Sequence, residues 1–207
     1  KMTGFQLKLL AILAMTADHI GAVFFPEIPL LRWIGRLAMP VLSFFIGEGL
    51  RHTRSPRRYL LRLTGFALLS ELPFDLAFYG GIEWGHQNVY FTLALGLLAL
   101  WAIQSRGMEG WLLALTAALA AELLGCDYGM YGVLLILLLD RFHRARSEQL
   151  AAAALLNLAF FGLQTQTLSL IALPLLWLYS GKRGRDDRRL SYLYYPALCI
   201  VRIRGGV

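Results

Sequence analysis

Long blocks of consecutive apolar residues constrain this chain more than any other feature of its sequence. Clear examples are Phe5–Phe25, Gly110–Gly125 and Leu168–Tyr179. Charged residues make up only 16% of the 207 residues, whereas soluble domains carry about 25%. Such blocks are typical of membrane-spanning helices, because hydrocarbon offers no partner to an unpaired backbone amide. The sequence therefore predicts an all-α, polytopic transmembrane helical bundle.

The apolar blocks predict about nine spans joined by short connections. We expect one integral membrane domain over residues 1–207, with no soluble domain and no internal repeat. The first block is predicted to be a retained span rather than a signal peptide, because Asp18 and His19 interrupt it and no small-residue cleavage site follows. The predicted spans are Phe5–Phe25, Leu31–Arg51, Arg58–Phe78, Val89–Gln104, Gly110–Leu124, Met130–Phe142, Gln149–Leu163, Thr165–Tyr179 and Leu190–Ile203.

Basic residues alternate from one connection to the next, and this alternation predicts the orientation. The even-numbered connections carry basic runs such as Arg51–Arg58, Arg141–Arg146 and Lys182–Arg189. The odd-numbered connections Gly80–Asn88 and Cys126–Tyr128 contain no Lys or Arg. The positive-inside rule then places the amino terminus and the even connections in the cytoplasm of a multi-pass membrane protein.

Charge and cysteine content argue against several other classes of protein. The formal net charge of +7 is explained by topology and by anionic lipid headgroups, so no nucleic acid partner is expected. Cys126 and Cys199 are the two cysteines, and they are far apart without metal-ligand spacing. Neither a disulfide framework nor a metal site is therefore predicted.

Ionisable residues inside the predicted spans cluster in the outer half of the membrane. Asp18 and His19 lie in the first span, and Glu71 and Asp75 lie four residues apart on one face of the third. Such residues are costly in hydrocarbon and usually face a polar cavity or the bundle interior. They predict a polar pocket that opens to the outside. The other residues expected to line this pocket are Arg36, Asn88, Asp127 and Tyr128.

Basic residues at the cytoplasmic edge form a second predicted cluster. Lys8 precedes His19 by eleven residues, which is roughly 16 Å of helical rise on nearly the same face. An imidazole beside a carboxylate suits general-base or nucleophilic catalysis. Basic side chains on the opposite edge suit the phosphates of a nucleotide-bearing donor, which favours a cytosolic acyl-CoA. The candidates for binding it are Lys8, Arg58, Arg62, Lys182 and Arg183.

The same residues also admit other interpretations. A buried His is often a hydrogen-bonded structural residue, Glu71 or Asp75 would hold the bundle together by pairing with Arg36, and basic runs are often topology determinants alone. A proton-coupled transporter uses similar groups, although the internal symmetry expected of one is missing. A homo-oligomeric structural bundle is a third reading. The spacing of these residues alone predicts a membrane enzyme or transporter and does not distinguish between the two.

The order of short motifs along nearly the whole chain resembles the TraX family. Leu7-Lys8 and Met15–Gly21 resemble that family's first span, and Ser70–Asp75 resembles its most distinctive stretch. One departure is Leu198, where the family commonly has a His two residues after a Tyr-Pro pair. The remaining matching segments are Arg32–Pro40, Glu48-Gly49, His52-Thr53, Tyr59–Arg62, Asn88–Leu93, Asp127–Gly129, Gly132-Val133, Leu173-Pro174, Gly181–Gly184 and Tyr195-Pro196.

The resemblance implies a membrane acetyltransferase, as in the N-terminal acetylation of a conjugative pilin subunit. Larger membrane acyltransferases that look related carry a basic residue, ten intervening positions and a His, which Lys8 and His19 reproduce. The resemblance thus implies a catalytic role for His19 beside Asp18, with Glu71 and Asp75 as further candidates. We expect acetyl transfer from cytosolic acetyl-CoA to an amine or hydroxyl at the outer face, on a pilin-like protein, a sugar or a peptide. The alternative is a non-enzymatic transporter or an assembly factor for pili or conjugation.

Overall fold

All regular secondary structure in residues 1–184, the part of the chain that the computed structural model describes, is helical. The prediction of an all-α protein is therefore confirmed for this range. The predicted ninth span, Leu190–Ile203, lies outside the described residues. The elements are α1 (Gly4–Phe24), α2 (Pro29–Gly35), α3 (Ala38–His52), α4 (Pro56–Phe78), α5 (Val89–Arg106), α6 (Met108–Leu123), α7 (Gly129–Arg141), α8 (Arg146–Phe161), a 3₁₀ helix (Thr165–Ile171) and α9 (Ala172–Trp177).

Local sequence signals explain where several helices begin and end. Thr3 and Gln6 form a reciprocal capping box at the start of α1, so two amide donors that the helix leaves open are satisfied. Ser55 caps α4, whose first residue is a proline, the helix position at which proline's missing N–H costs nothing. Gly107, with φ of 57°, separates α5 from α6.

Contacts along the chain group the described residues into two compact units. The first unit comprises residues 1–42 and 157–184, and in it α1 packs against α2. The second unit comprises residues 43–156, and in it α5 contacts α4, α6 and α7. The helices α3 and α8 each begin in one unit and end in the other.

In the second unit, α6 buries small residues, and both α6 and α4 expose leucines. Ala114, Ala117 and Ala121 of α6 are buried in a cluster with residues of α5 and α7. Three leucines on the other side of α6 and three on one face of α4 are exposed, which is unusual for a soluble protein and typical of helices that pack closely within a bilayer. These leucines are Leu112, Leu115 and Leu119 of α6, and Leu61, Leu68 and Leu72 of α4.

The structure supports fewer spans than the nine predicted. Within residues 1–184, two helical stretches are long and apolar enough to cross a membrane, Pro29–His52 and α5. The helices α6, α7 and α8 have 16, 13 and 16 residues, so at 1.5 Å per residue they are shorter than a hydrocarbon core of about 30 Å. The predicted eighth span, Thr165–Tyr179, is divided between the 3₁₀ helix and α9. The count of nine is not confirmed.

Candidate functional sites in the two units

His19 lies five residues before the end of α1 and is 7% exposed. Its Nδ1 is 2.8 Å from the backbone carbonyl oxygen of Met15. A carbonyl oxygen only accepts hydrogen bonds, so Nδ1 carries the proton and Nε2 carries the lone pair in the neutral ring. The backbone, rather than the neighbouring carboxylate, thus sets the tautomer in which Nε2 is the basic atom.

Asp18, the neighbour of His19, faces α2. Arg32 Nη1 donates a hydrogen bond of 2.8 Å to Asp18 Oδ2 within an ion pair. Gly35 lies against the same carboxylate, since a Cβ added there would be 2.6 Å from Asp18 Cγ. Arg36 follows α2, and its buried Nε has no hydrogen-bond partner among the described residues. The first unit therefore gathers Asp18, Arg32 and Gly35 at the junction of α1 and α2.

Two of the predicted phosphate-binding residues lie at the amino-terminal end of α1. The amides of Gly4 and Phe5 donate to the carbonyl oxygens of Lys182 and Arg183 at 2.8 and 2.9 Å. The side chains of Lys182 and Arg183 are exposed. Lys8 is four residues into the same helix from Gly4, about 6 Å of rise. Three of the predicted donor-binding residues, Lys8, Lys182 and Arg183, thus lie in or next to the amino-terminal part of α1.

The other two predicted phosphate-binding residues, Arg58 and Arg62, lie on α4 in the second unit. Both side chains are exposed, and the Arg62 guanidinium lies over the ring of Tyr59 at 5.8 Å from its centroid. The amide of Arg58 donates to the capping hydroxyl of Ser55 at 3.3 Å. Both residues therefore also have contacts with their neighbours at the start of α4, apart from any role in binding phosphate.

Glu71 and Asn88 form the centre of the polar residues in the second unit. Glu71 Oε2 accepts hydrogen bonds from the Asn88 backbone amide at 3.1 Å and from Asn88 Nδ2 at 2.5 Å. Asn88 is fully buried, caps α5 by accepting from the Tyr90 amide at 3.0 Å, and donates to the Ala67 carbonyl at 2.8 Å. Asn88 thereby joins the start of α5 to the outer part of α4.

Asp75 lies one turn after Glu71 and is 2% exposed. Its Oδ2 accepts from the backbone amide of Glu83 at 3.1 Å. A cavity of about 210 Å³ is lined by the carboxylates of Glu71, Asp75 and Glu83. Sequence analysis missed Glu83, because it lies in the connection after α4, where a charged residue is ordinary.

The turn before α7 meets the connection before α5. The Gln87 amide donates to the Gly125 carbonyl at 3.0 Å, and the Asp127 amide donates to the Gln87 carbonyl at 2.8 Å. Tyr128 has φ of 68° and precedes α7. Burial, and then the charges of Asp127 and Glu83, raise the pKa of Tyr79 at the end of α4. The structure therefore brings the predicted Glu71, Asp75, Asn88 and Asp127 to one end of this unit, where the local potential is negative.

A charged cluster in the second unit was only half visible in the sequence. Arg51 donates to Glu48 Oε1 at 2.7 Å and also ion-pairs with Asp140 of α7. His52, four residues after Glu48, donates from Nδ1 to the Glu48 carbonyl at 2.8 Å. Asp140 was missed because it lies at the end of an apolar block. Among residues 1–184, no group of three or more His, Cys, Asp or Glu residues is arranged to hold a metal ion.

Comparison with known proteins gives the same family that the motifs suggested. The family model described as TraX protein matches residues 3–202. The chain belongs to the TraX family. Membership, together with the two long apolar helices and the exposed leucines, indicates a membrane protein.

Curated relatives extend this result. A probable fimbrial assembly protein FimC, serogroup H1, of Dichelobacter nodosus is 36% identical over 94% of this chain and 91% of its own length. Protein TraX of Escherichia coli is 31% identical over 72% of this chain, and the match spans 61% of that protein. No solved structure matches the chain. The name of the first of these relatives refers to fimbrial assembly.

Proposed function

We propose that this TraX family protein is a membrane acetyltransferase, with His19 as its general base. The tautomer carries the proposal: Nδ1 of His19 donates to the Met15 carbonyl oxygen, so in the neutral ring the basic lone pair lies on Nε2. In the proposed step, Nε2 takes a proton from the attacking amine or hydroxyl while the acceptor bonds to the thioester carbonyl carbon. The carbon–sulfur bond breaks, and the proton passes to the leaving CoA thiolate.

The acetyl donor is proposed to be cytosolic acetyl-CoA. The exposed basic residues Lys182 and Arg183, with Lys8 farther along α1, supply positive charge for its phosphates at the end of α1 opposite to His19. Asp18 is assigned a positioning role, because its ion pair with Arg32 fixes α1 against α2 next to His19. Arg58 and Arg62 remain candidates for contacts with the donor.

We further propose a multi-pass arrangement in the bacterial inner membrane, with the basic connections in the cytoplasm. Glu71 and Asp75 belong to the predicted acceptor side, where the second unit has its negative end. The acceptor is an amine or hydroxyl presented at the outer face. A pilin-like protein fits the names of the relatives, and a sugar or peptide fits the same chemistry.

Radiolabelled acetyl-CoA tests this proposal on the purified full chain. The wild type is expected to hydrolyse acetyl-CoA slowly or to become acetylated, and His19→Ala should lower the rate by about 10²–10⁴-fold. His52→Gln is the matched control, since His52 is exposed and lies outside the proposed machinery. Equal rates for wild type and His19→Ala would remove His19 from the mechanism.

Assembly without catalysis is the second candidate function. It is favoured by the similarity to a probable fimbrial assembly protein over nearly the whole chain. Cells that depend on this protein for fimbriae or pili would then assemble them equally well with His19→Ala. Loss of assembly in that variant, with normal protein level in the membrane, favours the enzyme.

A further inference from the structure

The cavity beside α4 contains carboxylate oxygens that lack partners. Glu71 Oε1 and Asp75 Oδ1 are both buried and make no hydrogen bond with any described residue. The second oxygen of each carboxylate is already engaged, by Asn88 and by the amide of Glu83 respectively. The cavity's volume of about 210 Å³ is several times the roughly 30 Å³ that one water occupies in the liquid. The cavity therefore has space, and two of the residues that line it each have a buried acceptor that no described residue uses.

No cation of the described chain neutralises this acidic cavity. Within residues 1–184, the ion pairs formed by Lys and Arg do not include Glu71, Asp75 or Glu83. Unpaired carboxylates at membrane depth are costly, and a buried charge is stabilised when a hydrogen-bonded partner of opposite charge is present. A ligand that satisfies these oxygens has to supply positive charge together with N–H donors.

Apolar side chains also line the cavity, on the side of α4 that carries the exposed leucines. Leu68, 64% exposed, and Leu72 line it and continue the row of exposed leucines on that helix. On the other side lie Ile82 and Trp84, the latter 85% exposed. Tryptophan is enriched where membrane meets water, at the depth of lipid headgroups. In the membrane arrangement proposed above, we therefore place the cavity where hydrocarbon meets headgroups.

We propose that this cavity binds the primary ammonium group of an ethanolamine phospholipid from the surrounding bilayer. A primary ammonium has three N–H donors, enough for Glu71 Oε1 and Asp75 Oδ1. The quaternary ammonium of choline has the charge but no N–H, and an anionic headgroup is repelled by the carboxylates. The lipid phosphate stays at the entrance beside Trp84, and the acyl chains lie along Leu68 and Leu72.

This inference rests on the proposed function only in treating the cavity as the acceptor side. Binding is measured without acetyl-CoA, so the lipid site and the transferase activity can fail separately. The delipidated full chain in detergent is titrated with phosphatidylethanolamine, phosphatidylcholine or phosphatidylglycerol, and binding is followed by native mass spectrometry. The wild type should bind phosphatidylethanolamine at least about tenfold more tightly than the other two, which is the effect of one charge-assisted hydrogen bond.

Three variants test where the lipid binds. Asp75→Asn and Glu71→Gln should each weaken phosphatidylethanolamine binding about tenfold, whereas Glu109→Gln, which neutralises an exposed carboxylate on α6, should not. Leu72→Trp blocks the entrance from an exposed position, so it decides the question if the carboxylate variants do not fold.

Three results would overturn the proposal. Equal affinity for ethanolamine and choline lipids would show that the cavity does not recognise a primary ammonium group. Unchanged phosphatidylethanolamine affinity in Leu72→Trp and the carboxylate variants would place the lipid elsewhere. The protein could instead bind a short peptide with a free α-amine, in a manner that depends on Asp75, and not bind phosphatidylethanolamine. That result would assign the cavity to a peptide.

Discussion

Arg32 donates a 2.8 Å ion-paired hydrogen bond to Asp18, the residue that precedes the proposed catalytic His19. Arg32 lies in the last turn of α2, and Asp18 lies near the end of α1. The pair therefore closes the short connection between the two helices. It also makes the carboxylate beside His19 a partner of an arginine, which accounts for its presence in an apolar helix without a direct role in proton transfer.

A double-mutant cycle tests this pairing. Asp18→Asn and Arg32→Gln should each lower the apparent melting temperature, and the double variant should lose less than the sum of the two. Because both side chains are partly exposed, the coupling should be no more than about 1 kcal/mol. A strictly additive loss would show that the two residues stabilise the protein independently.

Asn88 should be one of the most sensitive positions in the second unit. Its side chain caps α5 and donates to both Glu71 and the Ala67 carbonyl from a fully buried position. Asn88→Ala removes the cap and the two side-chain hydrogen bonds to Glu71 and Ala67, at a cost of roughly 2–4 kcal/mol in the free energy of unfolding. Asn88→Asp keeps the shape of the side chain but places a second carboxylate against Glu71. It should therefore be no more stable than Asn88→Ala.

Ser55→Ala is the control for Asn88, since Ser55 caps α4 from a more accessible position through one hydrogen bond of 3.3 Å to Arg58. Ser55→Ala should lower the free energy of unfolding by no more than about 1 kcal/mol. Chemical denaturation monitored by circular dichroism compares the variants. Equal losses at the two caps would mean that the contacts with Glu71 and Ala67 contribute little.

Gly110 permits the close approach of α6 to α5. A Cβ at this position would lie 2.6 Å from the carbonyl carbon of Ala102 and 2.7 Å from Ile103 Cα. Both are backbone atoms, so no side chain can move aside, and Gly110→Ala should destabilise the protein by about 1–3 kcal/mol. Gly65→Ala is the matched control, because no atom lies within 4 Å of an added Cβ there and alanine favours a helix. A thermal shift of the same sign in both variants would contradict the close packing.

The apolar blocks of the sequence predicted several of the helices in this structure. The predicted fourth and fifth spans, Val89–Gln104 and Gly110–Leu124, agree with α5 and α6 within two residues at each end. The predicted second span did not remain one helix. Pro40 lacks the N–H that would bond to the Arg36 carbonyl, so the chain turns at Arg36 and resumes as α3.

The candidate site was predictable where a polar residue stood out against apolar neighbours. Glu71, Asp75 and Asn88 were found in this way, and the structure places them at one end of the second unit. Arg32 and Glu83 were missed because Arg32 lies in the short helix α2 next to the first connection and Glu83 lies in the connection after α4, where charged residues are ordinary. Their partners, Asp18 and Asp75, are set by tertiary contacts that no local pattern encodes.

Cys126 gives a prediction that depends on protonation. The thiol is 6% exposed, and burial followed by the nearby negative charges of Glu71 and Asp127 raises its pKa from 9.0 to about 11. Because thiolate is the reactive species, and each pH unit changes its fraction tenfold, the folded protein at neutral pH should contain about a hundredfold less thiolate at this site than an ordinary cysteine.

In a Cys199→Ser variant, alkylation by N-ethylmaleimide should be slow and should accelerate on denaturation. Glu71→Gln removes one of the two charges and should increase the rate in the folded state, whereas Glu109→Gln on α6 should leave it unchanged. Rapid alkylation of the native variant would place Cys126 at an accessible surface and contradict the packing of the turn before α7.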